Sequence, residues 1–77
     1  MKVTVEFMGP IRRPWPEQSK EIELPDGSKV SALFSELGFT EVESRSINVL
    51  RDGLRLRPFS HLIDGERIVL MVPAGGG

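Results

Sequence analysis

The chain contains no cysteine and a single histidine, His61. The first absence excludes disulfide staples, and together they leave too few donors for a structural zinc site. A chain of 77 residues has room for one core and buries only roughly 60% of its unfolded surface. Without bridge or metal, such a domain must rest on regular hydrogen bonding and an efficient apolar core. No apolar run approaches the ~20 residues of a membrane span. The opening stretch MKVTVEFMG is interrupted by Lys2 and Glu6 and lacks the apolar region of a signal peptide. A net charge of −1 supplies no basic excess, which sets nucleic acid aside as a partner. The corresponding expectation is a cytoplasmic protein that engages neither nucleic acid nor membrane.

Catalytic groups are equally scarce. There is no thiol nucleophile, and His61 follows Ser60 in a loop without a recoverable aspartate partner, which suits a surface or hydrogen-bonding histidine. The carboxylates are scattered as on any solvated surface. No glycine-rich stretch lies between a strand and a helix to cradle phosphate.

What is present is a strong pattern of elements. A hydrophobic content of 39% and a charged content of 27% are those of a globular domain. Residues Lys2 to Phe7 alternate strictly, with Val3, Val5 and Phe7 on one face, so they form a half-buried strand. GPIRRPWPE, Gly9 to Glu17, reads as a loop, and Trp15 within it is either a partner anchor or packing for the hairpin. Lys20 to Leu24 alternates again and is expected to pair antiparallel with the first strand.

Pro25-Asp26-Gly27 signals a turn, with Ser28 a candidate N-cap. Val30, Leu33, Phe34 and Leu37 then fall at i, i+3, i+4 and i+7, one stripe of a short helix that Gly38 ends. Phe39 to Arg45 is a connection of undefined form. Ser46 to Leu50 reads as a third strand, Asp52-Gly53 as a tight turn before Leu54-Arg55-Leu56, and Arg67 to Val72 as the last strand. An apolar hairpin face and an apolar helix stripe must cover each other. The expected fold is α+β, a β-grasp: a mixed sheet of four to five strands, first and last central and parallel, with one main helix across one face. Residues 1–74 form the domain and 75–77 a flexible glycine tail.

The last strand does not alternate. If Ile68, Leu70 and Val72 point to the helix, Val69 and Met71 face the other way, and so does Leu50 once Ile47 and Val49 point inward. These three form either a candidate interface patch, with Arg51, Arg55, Arg57 and Arg67 expected near it, or the second apolar face of a central strand that loops cover. The patch precedes Pro73-Ala74-Gly75-Gly76-Gly77. Glycine fits a narrow channel because it has no Cβ, and the four residues Ala74 to Gly77, extended, reach roughly 13 Å. Ordering them costs on the order of 4–8 kcal/mol, which a docking patch would have to offset.

The pattern, with Phe7-Met-Gly-Pro-Ile-Arg12 after the first strand, Leu24-Pro-Asp-Gly-Ser28 before the helix, the Asp64-Gly65-Glu66 turn and the terminal glycines, resembles the MoaD/ThiS family of sulfur carriers over nearly the whole chain. The resemblance implies a carrier, not an enzyme, or the small subunit of a sulfur-transferring synthase. An E1-like enzyme would adenylate Gly77, using ATP that the carrier itself does not bind. A sulfur donor would convert the adenylate to a thiocarboxylate, and an acceptor such as a molybdopterin synthase large subunit would receive the sulfur. Leu50, Val69, Met71, Pro73, Ala74 and Gly75 would contact partners. The family ends in two glycines and this chain in three, so either Gly77 or Gly76 is the reactive end. Length favours a molybdopterin-type over a thiamine-type carrier. A ubiquitin-like modifier joined to lysines, or a binding module with an idle tail, are the alternatives.

Overall fold

The computed structural model describes residues 1–13 and 15–72. In chain order the elements are β1 (Lys2–Met8), β2 (Ser19–Glu23), α1 (Val30–Leu37), α2 (Glu41–Ser46), β3 (Asn48–Arg51), β4 (Leu54–Leu56) and β5 (Arg67–Met71). They form one five-stranded sheet in the order β2-β1-β5-β3-β4. β1 pairs antiparallel with β2 and parallel with β5, which pairs antiparallel with β3. The expected mixed sheet with first and last strands central is therefore the observed one. The expectation of a flexible tail at 75–77 lies outside the described residues.

Alternation decides which face is buried. Val3, Val5 and Phe7 of β1, Val49 of β3, and Ile68 and Leu70 of β5 all point under α1, each at most 2% exposed. Helix α1 sends Val30, Leu33, Phe34 and Leu37 down onto them. Each such side chain contributes roughly 1.5–3 kcal/mol through burial. Leu33 is fully buried, so Leu33→Ala would cost about 2–5 kcal/mol.

The ends of α1 are closed in different ways. Ser28 does not cap it: its hydroxyl donates to the Pro25 carbonyl at 2.6 Å and closes the preceding turn. Lys29 occupies the N-cap and makes no side-chain bond there. The first helical N–H groups, of Val30 and Ser31, instead donate to the carbonyls of Ser60 and Pro58, both at 3.0 Å. A loop distant in sequence thus supplies the acceptors that the local chain lacks. At the other end Gly38 adopts φ +77°, and the Phe39 N–H returns to the Phe34 carbonyl at 3.1 Å.

The undefined connection after Gly38 is helix α2, and β3 accordingly begins two residues later than the expected Ser46. Thr40 and Glu43 form a reciprocal capping box, with side-chain bonds of 3.1 Å and 2.9 Å to each other's backbone N–H. Glu43 also receives both donors of the Arg12 fork, each at 2.9 Å. Arg12 reaches the Gly38 carbonyl at 3.2 Å and lies 5.2 Å from the Phe39 ring centre. One side chain therefore fastens the first loop to the α1–α2 junction. Trp15 packs edge-on against Phe7, 5.4 Å between ring centres, with the Lys20 ammonium 5.1 Å from its own. The hairpin-packing reading of Trp15 accounts for these contacts.

Candidate functional site

Both helices lie on one side of the sheet, and the other side carries its own apolar group. Cross-strand partners share a face. Leu50 of β3 is the partner of Val69 of β5, and Val69 is in turn the partner of Glu6 of β1. Two residues further along β5, Met71 stands between Asn48 of β3 and Met8 of β1. Leu50, Val69 and Met71 are half-buried, and Met8 is 46% exposed. The three residues read from the sequence are therefore neighbours across adjacent strands.

Met8 and Asn48 complete this face and were not singled out from the sequence. The signal for Met8 was there: the Lys2-Thr4-Glu6 alternation, extended by one more step, puts Met8 on the open side. Methionine fills irregular contacts well, because its unbranched thioether adapts to a partner's shape. The rim is polar. Arg67 donates to Glu6 at 2.9 Å across the β1–β5 ladder, and Arg55 is the cross-strand partner of Leu50.

Two of the four arginines expected here lie elsewhere. Arg51 follows Leu50 and so points to the other side, where its fork meets the Glu66 carboxylate and also the His61 carbonyl at 2.9 Å. Partial burial pulls the Glu66 carboxyl upward, but the Arg51 fork and the Ile63 N–H outweigh it and hold the group below the usual carboxylate range. The guanidinium of Arg51 is raised in turn by the same hydrogen bond. Arg57 has left the ladder and begins the turn to Ser60 that supports the start of α1.

His61 is exposed, with its Nδ1 3.2 Å from the Gly27 carbonyl. Among the described residues no three His, Cys, Asp or Glu side chains come together as metal ligands. No described helix is long and apolar enough to cross a membrane. Pro73, Ala74, Gly75, Gly76 and Gly77 lie outside the described residues. The site that can be built is thus an apolar face on β1, β5 and β3. Its central strand leads through Val72 directly into the C-terminal segment.

A five-stranded mixed sheet with this order, helices on one side and an apolar group on the other, is the ubiquitin-like β-grasp. Solved structures similar to this chain share this fold. A chain described as "Putative molybdopterin converting factor, subunit 1" from Pyrococcus furiosus superposes with a TM-score of 0.75 at 22% identity, covering 95% of this chain and 98% of that one. SAMP1 from Haloferax volcanii gives a TM-score of 0.74 at 17% identity over the full length of both chains. At such identities the likeness is one of fold. No protein-family profile matches the sequence, and no curated protein does.

Proposed function

We propose that this protein is a sulfur carrier activated at its C-terminal glycine. One observation carries the reading: the apolar face formed by Leu50, Val69, Met71 and Met8 straddles the strand that runs into Pro73-Ala74-Gly75-Gly76-Gly77. A carboxylate resists nucleophiles because it is charged and has a poor leaving group. An E1-like enzyme docked on the face would let the carboxylate oxygen attack the α-phosphate of ATP, releasing pyrophosphate and leaving an acyl-adenylate. Hydrosulfide then attacks the acyl carbon and AMP departs, giving the thiocarboxylate. A donor persulfide reaches the same product through an acyl disulfide that a second thiol cleaves.

The chain has no cysteine, so within it the terminal carboxyl is the group suited to carry transferable sulfur. The carrier does not catalyse the transfer. It is a substrate of the activating enzyme and then presents sulfur to an acceptor synthase in the cytoplasm. The length of the chain favours a molybdopterin-type acceptor over a thiamine-type one.

The test is the intact mass after incubation with ATP, cell extract and a sulfur source. The expected product is heavier by the replacement of one oxygen by sulfur, and deletion of Gly76 and Gly77 abolishes it. Isopeptide adducts on other proteins without that shift would make the chain a protein modifier instead. Unchanged biological activity after the deletion would leave a plain binding module.

A further inference from the structure

We infer that Gly9 is a positioning residue for the C-terminal segment, through the close approach of its backbone to the Val72 carbonyl. The inference rests on the proposed carrier function and concerns how the reactive end is aimed. The parallel β1–β5 ladder ends at the pair Met8 and Met71, so Gly9 and Val72 are the next residues of the two strands. A Cβ on Gly9 would lie 2.7 Å from the Val72 carbonyl oxygen and 3.8 Å from its carbonyl carbon and its nitrogen. Gly9 also adopts φ +79°.

Backbone angle alone does not set Gly9 apart. Gly27, Gly38, Gly53 and Gly65 have φ between +77° and +83°, yet a Cβ on any of them would meet nothing within 4 Å. At Gly9 the angle and the close approach coincide.

The Gly9 carbonyl accepts from the Ile11 N–H at 2.8 Å, and the Phe7 N–H is held by the Gln18 carbonyl at 2.8 Å. The Gly9 side is thus tied into the first loop, and the proposed role requires the Val72 peptide to be the side that yields. Restoring an ordinary contact would move it by about 0.7 Å. Val72 is the last described residue before the segment that ends in the reactive carboxyl. Its carbonyl therefore sets where that segment starts relative to the docking face, whose Met8 and Met71 immediately precede the two residues in contact. A misplacement of about 1 Å far from the chemistry can cost on the order of a hundredfold in rate.

The experiment compares Gly9→Ala with Gly27→Ala, which carries the same strained angle without the contact. The probe is ATP–pyrophosphate exchange by the chain's own E1-like activating enzyme. For Gly9→Ala the expected result is an essentially unchanged KM, because the docking face is intact, and a kcat lowered by about tenfold or more. Gly27→Ala keeps both values. Amide resonances from residue 72 onward should shift in Gly9→Ala and stay in place in Gly27→Ala, a readout that needs no enzyme. Equal kinetics and equal spectra for the two variants would overturn the inference. So would a Gly9→Ala chain that fails to fold where Gly27→Ala folds, since the contact would then serve the fold. If the chain lacking Gly76 and Gly77 still supports full exchange, the carrier reading itself fails. If that deletion is inactive while Gly9→Ala matches Gly27→Ala, only the positioning role fails.

Discussion

Leu50 and Val69 face each other across the β3–β5 ladder on the side of the sheet away from both helices, while Leu70, one residue on from Val69, is fully buried beneath α1. Adjacent residues of one strand thus predict opposite outcomes. Leu50→Asp or Met71→Glu should weaken binding to the proposed activating enzyme by about tenfold or more, as loss of a central apolar contact does. Both should keep the wild-type circular dichroism spectrum and melt within a few degrees of it. Leu70→Asp puts an unpaired charge in the core and should unfold the domain. Titration calorimetry and thermal melts separate the cases. An unfolded Met71→Glu would show that the face is part of the core.

Most of this face could be read from alternation, because strands β1 and β5 must bury every second residue under a helix. The stripe of α1 and its glycine stop were legible for the same reason. Helix α2 was not, since EVESRS buries none of its residues and Val42 is 72% exposed, so no apolar period marks it. Its signal was the spacing of Thr40 and Glu43. The cap of α1 was invisible locally, because Pro58 and Ser60 reach it only after the chain has folded back. Arg51 was misplaced by grouping it with Leu50, whose neighbour in a strand must face the other way.

The capping box offers a direct check on α2. Removing the Thr40 hydroxyl leaves the Glu43 N–H without its acceptor, a loss of about 1 kcal/mol. Thr40→Ala should therefore lower the urea midpoint measurably, whereas Thr40→Ser, which keeps the hydroxyl, should stay close to wild type. Equal losses in the two variants would mean that the methyl group matters and the cap does not.

The ion pairs should differ in worth according to exposure. Glu66 is 10% exposed and satisfies both the Arg51 fork and the Ile63 N–H. Glu66→Ala leaves these donors unmet and should cost about 1–3 kcal/mol in equilibrium unfolding. Glu41 and Arg45 are 82% and 73% exposed, so Glu41→Ala should change stability by about 0.5 kcal/mol or less. A comparable loss from both would contradict the role assigned to burial.

Arg12 and Glu43 make the stability depend on acidity in a defined direction. The Arg12 side-chain hydrogen bond, aided by the Thr40 N–H, lowers the Glu43 carboxyl from 4.5 to about 2. A carboxylate depressed in the folded state contributes fully above its unfolded value, and the contribution is lost as pH falls from about 4.5 toward 2. The melting temperature of the wild type should thus exceed that of Arg12→Gln by a constant margin near neutrality. Below pH 4.5 the margin should narrow, down to the remainder due to the Gly38 carbonyl bond and the Phe39 ring contact. Salt should narrow it as well, because both partners are partly exposed. A carboxyl NMR titration gives the direct reading: Glu43 should titrate near 2 in the wild type and move up toward 4.5 in Arg12→Gln. A Glu43 midpoint that stays low without Arg12 would assign the depression to the capping box alone.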